Sequence, residues 1–158
     1  MSLLGPASMT TKKLPSSLLQ YLKRPKPELT LVADAGAIKH LRYAKSLIKS
    51  SGVRLVITPH AGEMAGLMGM SRNEVEADPA AIARKAAESF NVVVVMKGAC
   101  TYIASSQNDM ASCRAGNVGL ATSGSGDVLA GVISGLAARG AAPFCGVLLG
   151  CLFARDGG

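Results

Sequence analysis

Three short apolar runs, separated by segments with helical periodicity, constrain the fold of this 158-residue chain most strongly. The runs are residues 29–33, 53–58 and 92–96, and the last of them is apolar throughout. A strand without polar alternation is buried on both faces, as the strands of a parallel sheet are. Residues 35–50 and Pro79–Phe90 carry apolar side chains at helical spacing between the runs. This alternation predicts an α/β fold with a mainly parallel sheet flanked by helices.

The segments between these elements carry local signals of their own. Residues 64–70 predict a short helix, and Ser71 with Glu74 has the S-x-x-E spacing of a capping box. Residues 101–104 predict a further short strand, followed by a polar turn at 107–109. These signals add elements without changing the predicted fold class.

The C-terminal part predicts two more helices. Asp127 opens the first, Gly140 ends it, and a last apolar helix follows. The sequence has no internal repeat and no break in composition, so residues 1–158 are predicted to be a single domain. Residues 1–28 are expected to be an irregular N-terminal segment of that domain.

Composition argues against several classes of function. Aromatic residues make up 4% of the chain and Trp is absent. A surface that stacks on nucleic-acid bases needs more aromatic side chains than this. No apolar run is as long as a membrane span. The cysteines and the two histidines lack the spacing of a zinc site or a disulfide framework. We therefore expect reduced thiols, a cytoplasmic location, no protein-built metal site, and no nucleic-acid or membrane partner.

Basic residues are concentrated in the first third of the chain. Residues 1–54 hold ten Lys and Arg against two acidic residues, a net charge of +8, whereas the remainder carries −1. On a helix, four of these basic residues would lie within about a third of a turn and form a stripe: Lys39, Arg42, Lys45 and Lys49. A solvated helix face explains such a stripe, and attraction of an anionic ligand or nucleic acid is the alternative.

The strongest local signal is the Gly- and Ser-rich segment 116–127, which leads directly into a predicted helix. Unpaired backbone N–H groups and the helix dipole at such a junction favour phosphate, and Gly124, Ser125 and Gly126 permit a close approach. The G-K-[ST] ending of a Walker loop is absent. Asp127 is either a stabilising first-turn residue or a general base that deprotonates an attacking hydroxyl. We favour the general base because Asp127 stands at the mouth of a phosphate cradle.

Two further candidates follow predicted strands, where open α/β sheets bind ligands. His60 lies in a predicted loop after residues 53–58, and Lys97 begins a turn after residues 92–96. An isolated histidine is more often structural than functional, so His60 alone does not define a site. Lys97 is either solvated or holds a nucleotide phosphate or ribose.

Together these segments resemble the ADP- or ATP-dependent NAD(P)H-hydrate dehydratases, a branch of the ribokinase-like superfamily. Residues 58–63 match T-P-H-P-G-E with an alanine for the second proline, and residues 97–101 match K-G-A-G-T with Cys100 for a glycine. Residues 116–127 resemble G-N-P-G-M-A-T-G-G-T-G-D, and 34–38 resemble D-A-D-A-L. The long segment departs from its pattern at Val118, Leu120, Ser123 and Ser125, and the short one at Gly36. The resemblance runs from about residue 29 onward and covers part of the family's domain.

The resemblance implies a three-layer ribokinase-like fold and a repair reaction on hydrated NADH or NADPH. ADP or ATP phosphorylates the hydrate's hydroxyl, phosphate leaves, and the nicotinamide double bond is restored, with Mg²⁺ accompanying the nucleotide. It implies His60 and Asp127 as substrate-binding residues and Asp127 as the catalytic residue. The implied nucleotide-binding residues are Lys97, Gly98, Ala99, Cys100, Thr101, Gly124, Ser125 and Gly126. We also expect a homo-oligomer.

Two other functions are compatible with the same residues. A small-molecule kinase of this superfamily would phosphorylate a hydroxymethyl group and release the phosphoester. A nucleotide-binding protein without catalytic activity is suggested by Gly36, which stands in place of an aspartate, and by the short length of the chain.

Overall fold

A five-stranded sheet is the frame of the part of the chain that the computed structural model describes, namely residues 14–24, 30–114, 139–140 and 142–148. The strands lie side by side in chain order. The first three are parallel and the last two are antiparallel to their neighbours, so the sheet is mixed. The strands are β1 (Thr30–Ala33), β2 (Arg54–Ile57), β3 (Val93–Met96), β4 (Cys100–Ala104) and β5 (Met110–Arg114).

Helices precede or connect the parallel strands, and residues 143–148 are helical as well. The six α-helices with both ends in the described residues are α1 (Ser16–Lys23), α2 (Ile38–Leu41), α3 (Lys45–Ser51), α4 (Ala61–Met68), α5 (Arg72–Ala77) and α6 (Pro79–Phe90). None of the helices in the described ranges is long and apolar enough to cross a membrane.

The two faces of the sheet bury different partners. On the first face, side chains such as Leu55 and Val94 pack against α1–α6 in one large apolar cluster. On the second face, Val56 and Val95 are fully buried in a smaller cluster with Val147 of the 143–148 helix. Full burial of an aliphatic side chain is worth about 1.5–3 kcal/mol. Helices on both faces of one sheet make three layers, which confirms the predicted fold class.

Local capping explains where two of the helices begin. The Ser71 hydroxyl accepts from the Glu74 N–H at 3.2 Å, and the Ser71 N–H donates to the Glu74 carboxylate at 2.7 Å. This reciprocal pair confirms the predicted capping box. Asp78 caps α6 through the Ala81 N–H at 3.1 Å, and Pro79 occupies the first turn, where its missing N–H costs nothing.

Two sequence predictions are corrected by these elements, and one strand was not predicted. Residues 1–28 are not irregular throughout, because α1 forms between 16 and 23 and buries Leu18 and Leu22, one helical turn apart. The helix expected over 35–50 begins with one 3-10 turn and is interrupted by another at 42–44, although its apolar side chains still face the core. Strand β5 was missed because its five residues include a serine and end on an arginine, a weak apolar pattern.

The basic stripe is a solvated helix face, and the charged ends of two of its residues contact neighbouring groups. All four residues of the stripe are exposed. The Arg42 guanidinium lies 5.5 Å from the Tyr43 ring centre and donates to the Gly66 carbonyl at 3.4 Å. The Lys45 ammonium lies 5.4 Å from the centre of the Phe90 ring. These contacts fit the first interpretation of the stripe.

Candidate active site

The three parallel strands bring two of the predicted site residues to one edge of the sheet. Backbone hydrogen bonds continue the sheet past the strand ends: the Thr58 N–H donates to the Ala33 carbonyl at 3.2 Å, and the Lys97 N–H donates to the Pro59 carbonyl at 2.8 Å. His60 and Lys97 form an isolated parallel bridge. The carboxyl ends of β1, β2 and β3 therefore meet at the edge where open α/β sheets bind ligands.

Four polar residues extend one face of the sheet at this edge. Successive side chains of an extended chain alternate between the two faces, so positions two apart share a face. The polar residues Asp34, Thr58, Lys97 and Thr101 each lie two positions from an apolar residue of the second face, in turn Val32, Val56, Val95 and Ile103. We call Asp34, Thr58, Lys97 and Thr101 the polar row.

An ion pair joins the residues that directly follow the carboxyl ends of β1 and β3. The Lys97 ammonium donates to the Asp34 carboxylate at 3.1 Å, across a separation of 63 positions in the sequence. Because β2 lies between β1 and β3, the two strand ends are about 10 Å apart, and the long lysine side chain spans the end of β2. Asp34 was not predicted as a site residue. Its position directly after a predicted parallel strand is the signal that could have identified it.

The surroundings of Asp34 hold its carboxyl group in the ionised form. Partial burial raises the pKa of Asp34, but the Thr58 hydroxyl, the Lys97 ammonium and the Ala35 N–H lower it by more. The resulting pKa lies below the ordinary value of 3.8. The carboxylate is therefore charged at neutral pH, and its contact with Lys97 is an ion pair.

The two threonines of the polar row have buried hydroxyl groups with free hydrogen-bonding capacity. Thr58 and Thr101 are 0% and 1% exposed, and neither hydroxyl completes a hydrogen bond within the described part of the chain. The Thr58 hydroxyl acts on the pKa of Asp34 from close range, without the geometry of a hydrogen bond. A buried hydroxyl left unpaired costs about 1–3 kcal/mol. These groups are therefore suited to meeting a ligand or a water molecule.

His60 caps helix α4, so it does not lie in a loop as the sequence predicted. Its Nδ1 accepts from the N–H groups of Gly62 at 3.0 Å and Glu63 at 3.2 Å. In return the His60 N–H donates to the Glu63 carboxylate at 2.9 Å. Histidine takes the place that Ser or Thr occupies in most capping boxes. That unusual cap residue is why the start of α4 was predicted three residues too late.

The cap also fixes which ring nitrogen of His60 is a donor when the ring is neutral. Since Nδ1 accepts hydrogen bonds, the neutral ring must carry its proton on Nε2. Nε2 lies 3.5 Å from the Glu63 carboxylate, and the His60 side chain is 59% exposed. The Nε2–H group can therefore donate to an incoming ligand. Binding of substrate by His60 stays a prediction.

The turn after β3 is open to solvent in the middle. Gly98 and Ala99 are exposed, while Cys100 is half-buried. A Cβ added at Gly98 would meet the Cys100 carbonyl at 3.4 Å, an ordinary contact, and the Gly98 φ angle is not in the left-handed region. The fold by itself therefore tolerates a side chain at position 98, which leaves close approach of a ligand as the expected reason for a glycine.

The predicted phosphate cradle cannot be placed in this structure. Gly124, Ser125, Gly126 and Asp127 lie outside the described residues. Their roles in binding nucleotide, and the role of Asp127 as catalytic and substrate-binding residue, stay predictions.

A described cavity lies away from the polar row. It has a volume of about 680 Å³ and is lined by the amino-terminal ends of β2 and β3, the 105–109 turn and the first residues of the 143–148 helix. This is the opposite edge of the sheet from the carboxyl ends of the parallel strands. Within the described ranges no group of three or more His, Cys, Asp or Glu side chains could hold a metal ion.

Comparison with known proteins assigns the class to which this fold and site belong. The chain belongs to the Carb_kinase family, whose description is NAD(P)H-hydrate dehydratase and whose profile matches residues 3–156. This confirms the family resemblance that the sequence motifs indicated.

Two relatives carry the name ADP-dependent (S)-NAD(P)H-hydrate dehydratase. The protein from Xanthomonas campestris is 47% identical over 111 residues, which are 70% of this chain and 37% of that protein. The protein from Neisseria meningitidis is 36% identical over 143 residues, covering 89% of this chain and 47% of its own length. The chain thus spans less than half the length of these relatives.

A solved structure agrees with the fold. The ADP/ATP-dependent NAD(P)H-hydrate dehydratase from Bacillus subtilis, co-crystallised with ATP and Mg²⁺, superposes with a TM-score of 0.72 at 28% identity. The match covers 90% of this chain and 50% of the Bacillus subtilis chain. The shared part therefore includes nearly all of this chain.

Proposed function

We propose that this chain carries the ADP- or ATP-dependent dehydration of hydrated NADH or NADPH, a hydro-lyase reaction that repairs the cofactor. The observation that carries the proposal is the bridge between His60 and Lys97 at the carboxyl ends of β2 and β3. It joins the segments that resemble T-P-H-P-G-E and K-G-A-G-T, which imply substrate and nucleotide binding, at one edge of the sheet. The names and reactions of the relatives agree with this assignment.

The proposed reaction transfers a phosphoryl group and then eliminates it. Asp127 takes the proton from the hydrate's hydroxyl as its oxygen attacks the terminal phosphorus of ADP or ATP, and AMP or ADP leaves. The new phosphoester then loses inorganic phosphate and a proton, which restores the ring double bond. Backbone N–H groups of Gly124, Ser125 and Gly126 stabilise charge on the transferred group.

We propose that the described residues supply further nucleotide contacts. Lys97 presents its ammonium, and Gly98, Ala99 and Cys100 present exposed or half-exposed backbone, next to the free hydroxyl of Thr101. His60 presents its Nε2–H group to an acceptor on the hydrated nicotinamide cofactor. All of these contacts lie at the carboxyl edge of the sheet.

Magnesium does not fit a protein-built site among the described residues. Asp34 is engaged by Lys97, and Glu63 is engaged by the His60 cap. Mg²⁺ in phosphoryl-transfer sites is commonly held by phosphate oxygens and water with one or two carboxylates. We therefore propose that Mg²⁺ accompanies the nucleotide.

We propose that the protein lies in the cytoplasm and that its cysteines are reduced there. We also propose that it forms a homo-oligomer. Cys100, Cys113 and Cys145 are free thiols among the described residues, as expected for that compartment.

Recovery of reduced-nicotinamide absorbance from hydrated NADH and NADPH, with ADP or ATP and Mg²⁺, tests the proposal. The expected result is recovery with one equivalent of phosphate released per nucleotide consumed. A mass spectrum that shows an accumulating phosphoester would identify a kinase instead. Nucleotide binding without recovery of NADH or NADPH would identify a non-catalytic binding protein.

A further inference from the structure

We propose that Asp34 is a positioning residue that holds the Lys97 ammonium at the nucleotide site. The inference rests on the proposed function, because the nucleotide-binding role of Lys97 comes from it. Asp34 is not expected to touch the nucleotide itself. It acts by limiting where the end of the Lys97 side chain can be.

The geometry of the pair supports a positioning role. Lys97 has a long flexible side chain, and its ammonium reaches past the end of β2 to meet Asp34 at 3.1 Å. An unpaired lysine at a sheet edge would return to solvent and gain rotamer freedom. The ammonium has three N–H donors, and among the described residues one of them is used, by Asp34. The other donors are available to phosphate or ribose oxygens.

The backbone next to Asp34 is strained. Ala35 has φ +49°, in the left-handed region that residues with a Cβ rarely adopt. The Ala35 N–H also lowers the pKa of the Asp34 carboxyl group. Strain of this kind persists where the surrounding structure requires it, and it is common at functional sites.

Stability is a weaker explanation for the pair. Its side chains are 20% and 30% exposed, so desolvation and lost side-chain freedom offset part of the attraction, and the net free energy is smaller than the attraction itself. Both residues of the pair also belong to the polar row, which includes Thr58 with its free hydroxyl.

Binding of ADP to the full chain, measured by calorimetry for Asp34→Ala and Asp34→Asn, tests the proposal. Asparagine keeps an oxygen that accepts from Lys97, whereas alanine does not. We expect alanine to weaken binding about tenfold, because the freed lysine must be ordered again, and asparagine to stay within about threefold of the wild type. If Asp34→Ala does not fold, Asp34→Ser, which is too short to reach Lys97, replaces it.

Two further variants separate positioning from other effects. In a Lys97→Met background, Asp34→Ala and Asp34→Asn should bind ADP equally, because Asp34 acts only through Lys97. Glu76→Ala removes an exposed ion pair with Arg72 elsewhere on the surface and should leave the affinity unchanged. Equal strengthening by both Asp34 variants would show that the carboxylate only repels phosphate, and would overturn the proposal. A difference in ADP affinity between the two Asp34 variants that persists in the Lys97→Met background would overturn the proposal too. So would a wild-type chain that binds no ADP.

Turnover measured on the same proteins keeps this inference apart from the proposed function. The expected order of affinities without any cofactor repair would retain the role of Asp34 and reject the dehydratase. Repair activity with affinities that do not respond to Asp34 would retain the dehydratase and reject the role of Asp34.

Discussion

The Nδ1 atom of His60 lies 3.0 Å from the backbone nitrogen of Gly62, and the ring that makes this contact leaves little space for a side chain at position 62. A Cβ on Gly62 would lie 3.0 Å from Cε1 of the His60 ring and 3.3 Å from Nδ1. Glu63 completes the same cap. The histidine, glycine and glutamate of T-P-H-A-G-E thus have one local structural reason, separate from any ligand.

The first prediction is that the effect of Gly62→Ala on stability depends on His60. In the wild-type chain the new methyl displaces the ring and weakens the cap, so we expect a loss of about 0.5–1 kcal/mol. In a His60→Ala background the obstacle is gone, and the higher helix propensity of alanine should stabilise the chain by about 0.5–1 kcal/mol. Urea unfolding of the four proteins measures this. The same sign in both backgrounds would contradict the steric explanation.

The second prediction separates the cap from the substrate role of His60. Asparagine is a good N-cap residue, so His60→Asn should keep the free energy of unfolding within about 0.5 kcal/mol, while His60→Ala should lose about 1 kcal/mol. Both variants lack the Nε2–H group. We therefore expect both to raise KM for the hydrated cofactor alike. If KM rises only in the less stable alanine variant, His60 is a structural residue.

The third prediction concerns acid stability. The pKa of Asp34 in the folded chain is below its ordinary value of 3.8, so its contribution is fully present above that pH and is lost as pH falls through the lower folded-state pKa. Hydrogen bonds from the Ser71 backbone and side chain lower the pKa of Glu74 and give the same sign. The free energy of unfolding should therefore decrease from about pH 5 to about pH 2, less steeply in Asp34→Asn. An unchanged slope in that variant would refute this assignment.

The fourth prediction tests the turn after β3. Gly98→Ala should leave the melting temperature unchanged, because the added methyl has an ordinary contact with the Cys100 carbonyl. If the nucleotide approaches the backbone here, affinity for ADP should fall about tenfold. Gly66→Ala is the matched control, since that exposed helical glycine also has room for a methyl. Equal ADP affinity in the two variants would remove Gly98 from the nucleotide site.

The fifth prediction concerns the proposed general base. Asp127→Asn should abolish turnover while nucleotide affinity stays within a few-fold, because the amide keeps the shape of the side chain and cannot accept the hydroxyl's proton. Turnover by single-turnover kinetics and affinity by calorimetry give the two readouts. Turnover comparable to that of the wild type would leave Asp127 as a helix-capping residue.

Much of the fold could be predicted from periodicity alone. The three apolar runs correspond to β1, β2 and β3, and the predicted helix Pro79–Phe90 is α6. The predicted turn at 107–109 is also present, with Asn108 at φ +70°. These elements follow from local rules, since alternation, a capping residue or a left-handed turn is visible within a few positions. The start of α4 escaped prediction because its cap is a histidine.

By itself the sequence determined the fold class and the strand ends that carry His60 and Lys97, because both follow from short-range patterns. Only the tertiary structure decided that Lys97 meets Asp34 and that buried hydroxyls flank the pair. Those contacts depend on which strands lie side by side and in what register. Local sequence patterns do not reveal strand order or register for two residues that are 63 positions apart. The ion pair of Asp34 with Lys97 therefore forms because the sheet places the ends of β1 and β3 on either side of β2.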